Sequence, residues 1–297
     1  MYYRLLLIFV SFTLFLSCKT ELSEEYSRLE VLKKNLSENP SKANRDSLIT
    51  AYQMLLKEEN ISPKKGIGFY KALAQLQIDN KVFASAVNSL MESIYKYSGS
   101  AAIAENVWLL GEIYDKYYKR PEVVGIIKKL YTLKFPEGAN IAVARMVALK
   151  DTTPLDQDII QLGSSMYNEE THQVNYQAAN DYIRVCELYA LLQPEDPKSA
   201  DYLHKAGEMA RAIRSFPKAV ALYDWIYTRY PSFEKSAQAL FLKAFTYDND
   251  LQDKETARNL YQEFLAKYPE DDFADDTQFL LDNLGKNDEE IIKSFGQ

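Results

Sequence analysis

Histidine and cysteine are scarce in this chain of 297 residues, with two of each, and glycine and proline number only ten apiece. The lack of glycine leaves little room for a phosphate-cradling loop. The one close pair, Gly66 and Gly68 in GIG, has no third glycine and no following Lys-Ser/Thr, so it reads as a turn that starts a helix. His172 and His204 have no companion His, Cys or carboxylate at a metal-ligand spacing, and no metal site is assigned. G-x-S-x-G is absent, and Cys186 has no histidine near it in sequence; no catalytic residue and no cofactor are therefore expected. Cys186 reads as a buried, inert thiol in an apolar helix. Basic excess is lacking too: 35 Lys and Arg face 42 Asp and Glu, a net charge of −7. That balance offers no footprint for nucleic acid.

Long apolar runs are also missing. The longest, Leu5 to Leu16, has twelve residues, against the roughly 20 that a helix needs to cross a bilayer. It follows Arg4 and ends at Ser17-Cys18, the proportions of a secretory signal. A small residue before a Cys at the end of such a run resembles the bacterial lipobox, although Phe15 stands where Leu is usual. The resemblance implies cleavage before Cys18 and acylation of its thiol, which would anchor the chain at a membrane. Residues 1–17 are then a signal peptide and 18–60 a tethered lead-in with two helices punctuated by Pro40. An ordinary signal peptide is the alternative.

What the chain has in plenty is Leu, Ala, Lys, Glu and Tyr, a composition of helix interiors. From about residue 61 a period appears. An aromatic stands before each terminator in Tyr97-Ser98, Phe135-Pro136, Tyr230-Pro231 and Tyr268-Pro269. Twelve residues earlier lie Ala86, Val124, Ala219 and Ala257, and near 25 residues earlier Leu73-Ala74, Leu110-Gly111, Ala206-Gly207 and Ala244-Phe245. Small residues at these points let two helices approach closely. The pattern resembles the tetratricopeptide repeat (TPR), with a period of 38 in place of 34. It implies an all-α fold, a right-handed superhelical solenoid of antiparallel helix pairs over 61–297. Residues 137–194 are degenerate: Gly138–Lys150, Leu155–Tyr167 and Asn175–Pro194 are helical runs whose pairing the sequence leaves open, with a boundary near Asp151–Pro154 as an alternative. Capping helices close the C-terminus, and Asp271, Asp272, Asp275 and Asp276 read as helix-start charges.

Helix spacing puts Trp108, Glu112 and Asp115 on one face of a first helix, and Asp201, His204, Glu208 and Arg211 on one face of another. These are the candidate lining of a concave groove. Tyr114, Tyr117 and Tyr118, near Trp108, read as packing residues or as an aromatic patch. A lipobox followed by repeats ending in A…LY…F…KYP resembles the outer-membrane lipoproteins that include the BamD assembly factor, and also the Tol-Pal coordinator family. That likeness covers somewhat over half the chain. It implies a non-catalytic adaptor on the bacterial outer membrane, anchored through Cys18 and facing the periplasm, with envelope proteins or peptide segments as partners. The alternative is a surface lipoprotein that captures glycans or nutrients through Trp108.

Overall fold

A computed structural model describes residues 24–58, 60–168 and 173–286. Cys18 and its leader, His172 and the C-terminal stretch after Lys286 lie outside the described residues. The fold is all-α and built from TPR-like antiparallel helix pairs. It divides into two compact units, between Lys119 and Arg120. Asp151–Pro154 falls inside the second.

The first unit contains α1 (24–38), α2 (Lys42–Leu55), α3 (Pro63–Asp79), α4 (Phe83–Lys96) and α5 (Ala104–Ile113), which runs on into a π-turn, Tyr114–Tyr118. Pro40 separates α1 from α2, and Ser41 caps α2 by accepting the Asn44 amide at 3.2 Å. Gly66 sits in the first turn of α3, and a Cβ there would strike the Tyr97 ring at the end of α4. Its job is close helix approach. Ala74, Ala86, Val87, Leu90 and Ile94 form the fully buried seam between α3 and α4. Two polar pairs lie inside this unit: Asn106 donates to Ser93 Oγ at 2.7 Å, and Ser89 to Gln77 Oε1 at 2.8 Å.

The second unit contains α6 (Pro121–Lys134), α7 (Ile141–Lys150), α8 (Leu155–Ser164), α9 (Tyr176–Leu192), α10 (Lys198–Ala212), α11 (Phe216–Arg229), α12 (Ser236–Phe245) with a π-turn Thr246–Asp250, α13 (Lys254–Lys267) and α14 (Ala274–Asp282). Between α8 and α9 a two-stranded antiparallel ribbon pairs Tyr167 with Val174 and Asn168 with Gln173. This resolves the pairing in the middle: α7 packs on α6, while α8 packs on α6 and α9. Helix α9 then packs on α10 and buries twelve residues, among them Cys186. The repeat end that the sequence hid is Gln193-Pro194. Gln193 has φ −126° and ψ 55°, matching Phe135, Tyr230 and Tyr268 before their own prolines. A following proline bars the helical conformation whatever the side chain.

The turns between first and second helices carry the period in the backbone. Lys81, Lys119, Arg214 and Gln252 all have φ between 55° and 61°. They fall 38 residues apart within each half of the pattern. At Lys81 and Arg214 the turn is a Schellman motif, with Val82 N–H donating to Gln77 O at 2.9 Å and Ser215 N–H to Ala210 O at 2.7 Å. Glycine is the usual occupant of that left-handed position; here long side chains hold it.

Two features bind the second unit. Gly207 lets α10 approach α11: a Cβ there would lie 2.6 Å from Tyr223 Cε1. Ala206, Ala219, Ala244 and Ala257 are fully buried, as the phased small residues predict; Val124, their counterpart in α6, is only half-buried. In α13, Tyr261 and Phe264 are core residues, and Tyr261 Oη donates to Asp248 Oδ2 at 3.2 Å. Lys267 Nζ lies 4.3 Å from the Tyr227 ring centroid and donates to Tyr227 Oη at 2.9 Å. In the irregular middle the binder is a charge. Lys129 Nζ reaches Asp151 Oδ2 at 2.8 Å, Thr153 O at 2.7 Å and Asp158 Oδ2 at 2.6 Å, tying α6 to the loop before α8 and to α8 itself. Burial works against the ammonium, but the bonds to Asp151 and Asp158 prevail and its pKa is raised. The bond from Lys129, with those from Thr153, holds the Asp151 carboxyl down at about 2.

Candidate functional site

The first set of predicted residues lies in the first unit. Trp108 is half-buried, and its Nε1 donates to Glu112 Oε1 at 3.2 Å; Glu112 Oε2 in turn meets Lys116 Nζ at 3.3 Å. Asp115 is exposed. The π-turn begins at Tyr114, so Asp115 no longer follows the α-helical spacing that grouped it with the other two. Tyr117, exposed, stacks on Phe83 with centroids 4.3 Å apart, and Tyr114 is core.

The second set lies on α10, and its four members separate by direction. Asp201 pairs with Lys205 at 2.6 Å, one turn on. His204 turns inward, 2 % exposed, with its ring 6.4 Å from those of Tyr223 and Phe233. Its Nδ1 is 3.6 Å from Glu208 Oε2. Burial lowers the imidazole pKa, against the pull of Glu208, so His204 is held neutral. It is packed under the surface and does not line an open groove.

Glu208 and Arg211 do reach an opening. They line a cavity of about 520 Å³ with Arg214, Phe216, Tyr223 and Asp250, above Leu242. The elements explain the lining. Arg211 ends α10, Arg214 occupies the left-handed turn, Phe216 and Tyr223 come from α11, and Asp250 ends the π-turn after α12. Arg211 Nε meets Asp250 Oδ2 at 2.6 Å, and its guanidinium lies 4.8 Å over the Phe245 ring, which fixes one wall. Arg214 reaches over Phe216 at 5.9 Å. Burial raises the Tyr223 hydroxyl, keeping it protonated. The cavity thus offers two guanidinium groups, two carboxylates and two rings, a lining that suits contact with a polar-and-apolar segment. Sequence reasoning missed Arg214, Phe216, Tyr223 and Asp250. The signal available was the 38-residue alignment, which puts Arg214 opposite Gln252 at the hairpin tip.

Elsewhere, Cys186 is fully buried, and burial pushes its thiol well up, so it stays protonated. Among the described residues no group of three or more His, Cys, Asp or Glu is placed to hold a metal. No described helix is long and apolar enough to cross a membrane.

No protein-family model and no curated protein matches the chain. Among solved structures, the TPR2AB-domain:pHSP90 complex of yeast Sti1 is similar at 12% identity, over 90% of this chain and 99% of that one, with a TM-score of 0.32. The repeat assignment rests on the helix pairs and their phased residues, not on so loose a global likeness.

Proposed function

We propose that this chain is a non-catalytic adaptor, tethered through a lipid on Cys18 at a bacterial outer membrane, that docks segments of envelope proteins between its helix pairs. The carrying observation is the open cavity between two successive pairs in the second unit, lined by Arg211, Arg214, Phe216 and Tyr223. Stacked helix pairs commonly bind extended or helical segments in this way. The tether is supported by the run Leu5–Leu16 followed by Ser17-Cys18. The grouping with outer-membrane lipoproteins of the BamD or Tol-Pal coordinator kind is supported by the A…LY…F…KYP endings, and a periplasmic orientation belongs to that grouping.

Two measurements on the full chain test this reading. Metabolic labelling with an alkyne fatty acid is expected to mark the protein and to be lost in Cys18→Ala; label kept in that variant rejects the tether. A photo-crosslinking residue at Ala212, on the cavity wall, is expected to capture envelope proteins, with yield falling in Arg211→Glu. Absence of any reproducible protein adduct rejects the adaptor.

A further inference from the structure

Among the described residues, eight of the fifteen large apolar side chains that stand exposed fall between Leu133 and Tyr176, so the anomaly is local. Three of them lie on α7: Val143, Met146 and Leu149, exposed by 51%, 60% and 77%. Their spacing of three puts them along one face, and Ala144 is the only fully buried residue of the helix. An apolar face on a helix ordinarily packs against another element.

The packing explains why this one is bare. In the regular part of the unit each first helix is covered by its own second helix, α10 by α11 and α12 by α13. Helix α7 packs closely on α6 alone. The next helix, α8, joins α6 and α9 instead, held there by the Lys129 bonds to Asp151 and Asp158. Among the described residues, no second helix takes the place beside α7. Val143, Met146 and Leu149 make the bare stripe of this one helix.

Charge narrows the occupant. Residues 138–150 contain Arg145 and Lys150 and no acid, in a chain whose net charge is −7. Both cations are exposed on or beside the stripe. A second copy of α7 would set these cations against their like. We infer that α7 is a docking surface for an amphipathic helix of a partner protein, apolar at positions three and four apart and flanked by acidic residues, which takes the place of the missing second helix. Ten residues of α7 span about 15 Å, so three to four turns of partner helix suffice. This surface is separate from the cavity at Arg211 and Arg214, although it shares the adaptor reading.

The test places p-benzoylphenylalanine at Met146 of the full chain in cells, with a second version at Ala212. The expected result is an adduct with one segment of another protein, bearing acidic flanks and crosslinked positions spaced by three or four. Its yield should fall about tenfold or more in Val143→Asp with Leu149→Asp, since core contacts dominate such interfaces. It should fall several-fold in Arg145→Glu with Lys150→Glu. Urea denaturation of both variants should match the parent, because the replaced side chains are exposed. Adducts with a second copy, with a phospholipid or with residues 287–297 of the same chain overturn the inference. So does the absence of any adduct, or a yield indifferent to Val143→Asp with Leu149→Asp. Ala212 adducts that persist while those at Met146 fail reject the α7 surface alone; the reverse pattern rejects the cavity.

Discussion

Within the second unit, α10–α13 and α6–α9 solve one packing problem by different chemistry. In α10–α13 the helices approach through absent atoms: Gly207 makes room for the Tyr223 ring, and Ala206, Ala219, Ala244 and Ala257 vanish into the seam. In α6–α9 the corresponding small position is Val124, half-buried, and a three-oxygen clamp on Lys129 ties the helices instead. The first solution repeats and stacks without limit. The second is singular; it pulls α8 away from α7 and so leaves an apolar helix face open.

The largest expected effect breaks the singular solution. Lys129→Ala strands Asp158, 13% exposed, without its cation, and should destabilise the second unit by about 3 kcal/mol in urea denaturation. That is the low end for breaking a buried pair, because Asp151 is 47% exposed. Lys129→Arg should recover only part of the loss, since a planar fork cannot meet three oxygens as an ammonium does. Gly207→Ala tests the repeating solution and should cost about 2 kcal/mol through overpacking against Tyr223. A loss no greater than that of an exposed Gly68→Ala, where nothing lies within 4 Å, would show that α10 and α11 can slide apart.

A smaller effect is pH-dependent. His204 is neutral in the fold because burial lowers its pKa; Glu208 and Asp201 pull it upward and Lys235 opposes protonation. The unfolded chain therefore takes up a proton near the ordinary histidine value of about 6.5 while the folded chain does not. The stability contributed by neutral His204 is full above that value and is lost as pH falls through the folded pKa. Denaturation midpoints of the parent should drop between pH 7 and 5 more than those of His204→Gln; equal drops would place the titration elsewhere. The smallest effect is a gain. Arg214→Gly relieves a left-handed conformation that costs a side-chain-bearing residue about 1–2 kcal/mol, against roughly 0.5–1 kcal/mol of added unfolded-state freedom. The net should be a rise of about 0.5 kcal/mol.

The repeating solution was legible in the sequence because its parts are local. Ala219, Tyr223 and Tyr230 lie on one helix at fixed offsets, and the same offsets return at Ala257, Tyr261 and Tyr268. The singular one was not, because Lys129 meets partners 22 to 29 residues away whose types announce nothing. Gln193 hid a repeat end by replacing the aromatic while its proline kept the geometry. At the candidate cavity, spacing put Glu208 and Arg211 on one face of α10, yet gave no means of knowing that His204, one turn earlier, packs against Phe233 from beyond α11. Burial on a helix is decided by what arrives later in the chain.

The left-handed hairpin tips have a consequence for how the chain comes apart under a protease. Lys81, Lys119 and Arg214 are exposed at three of them, each offering the cleavage residue of trypsin, while Gln252 offers none. Exposed loop tips are preferred sites of nicking. Brief digestion should therefore fragment the molecule between whole helices at the first three tips and spare the fourth, leaving α11 to α14 together as a limit fragment.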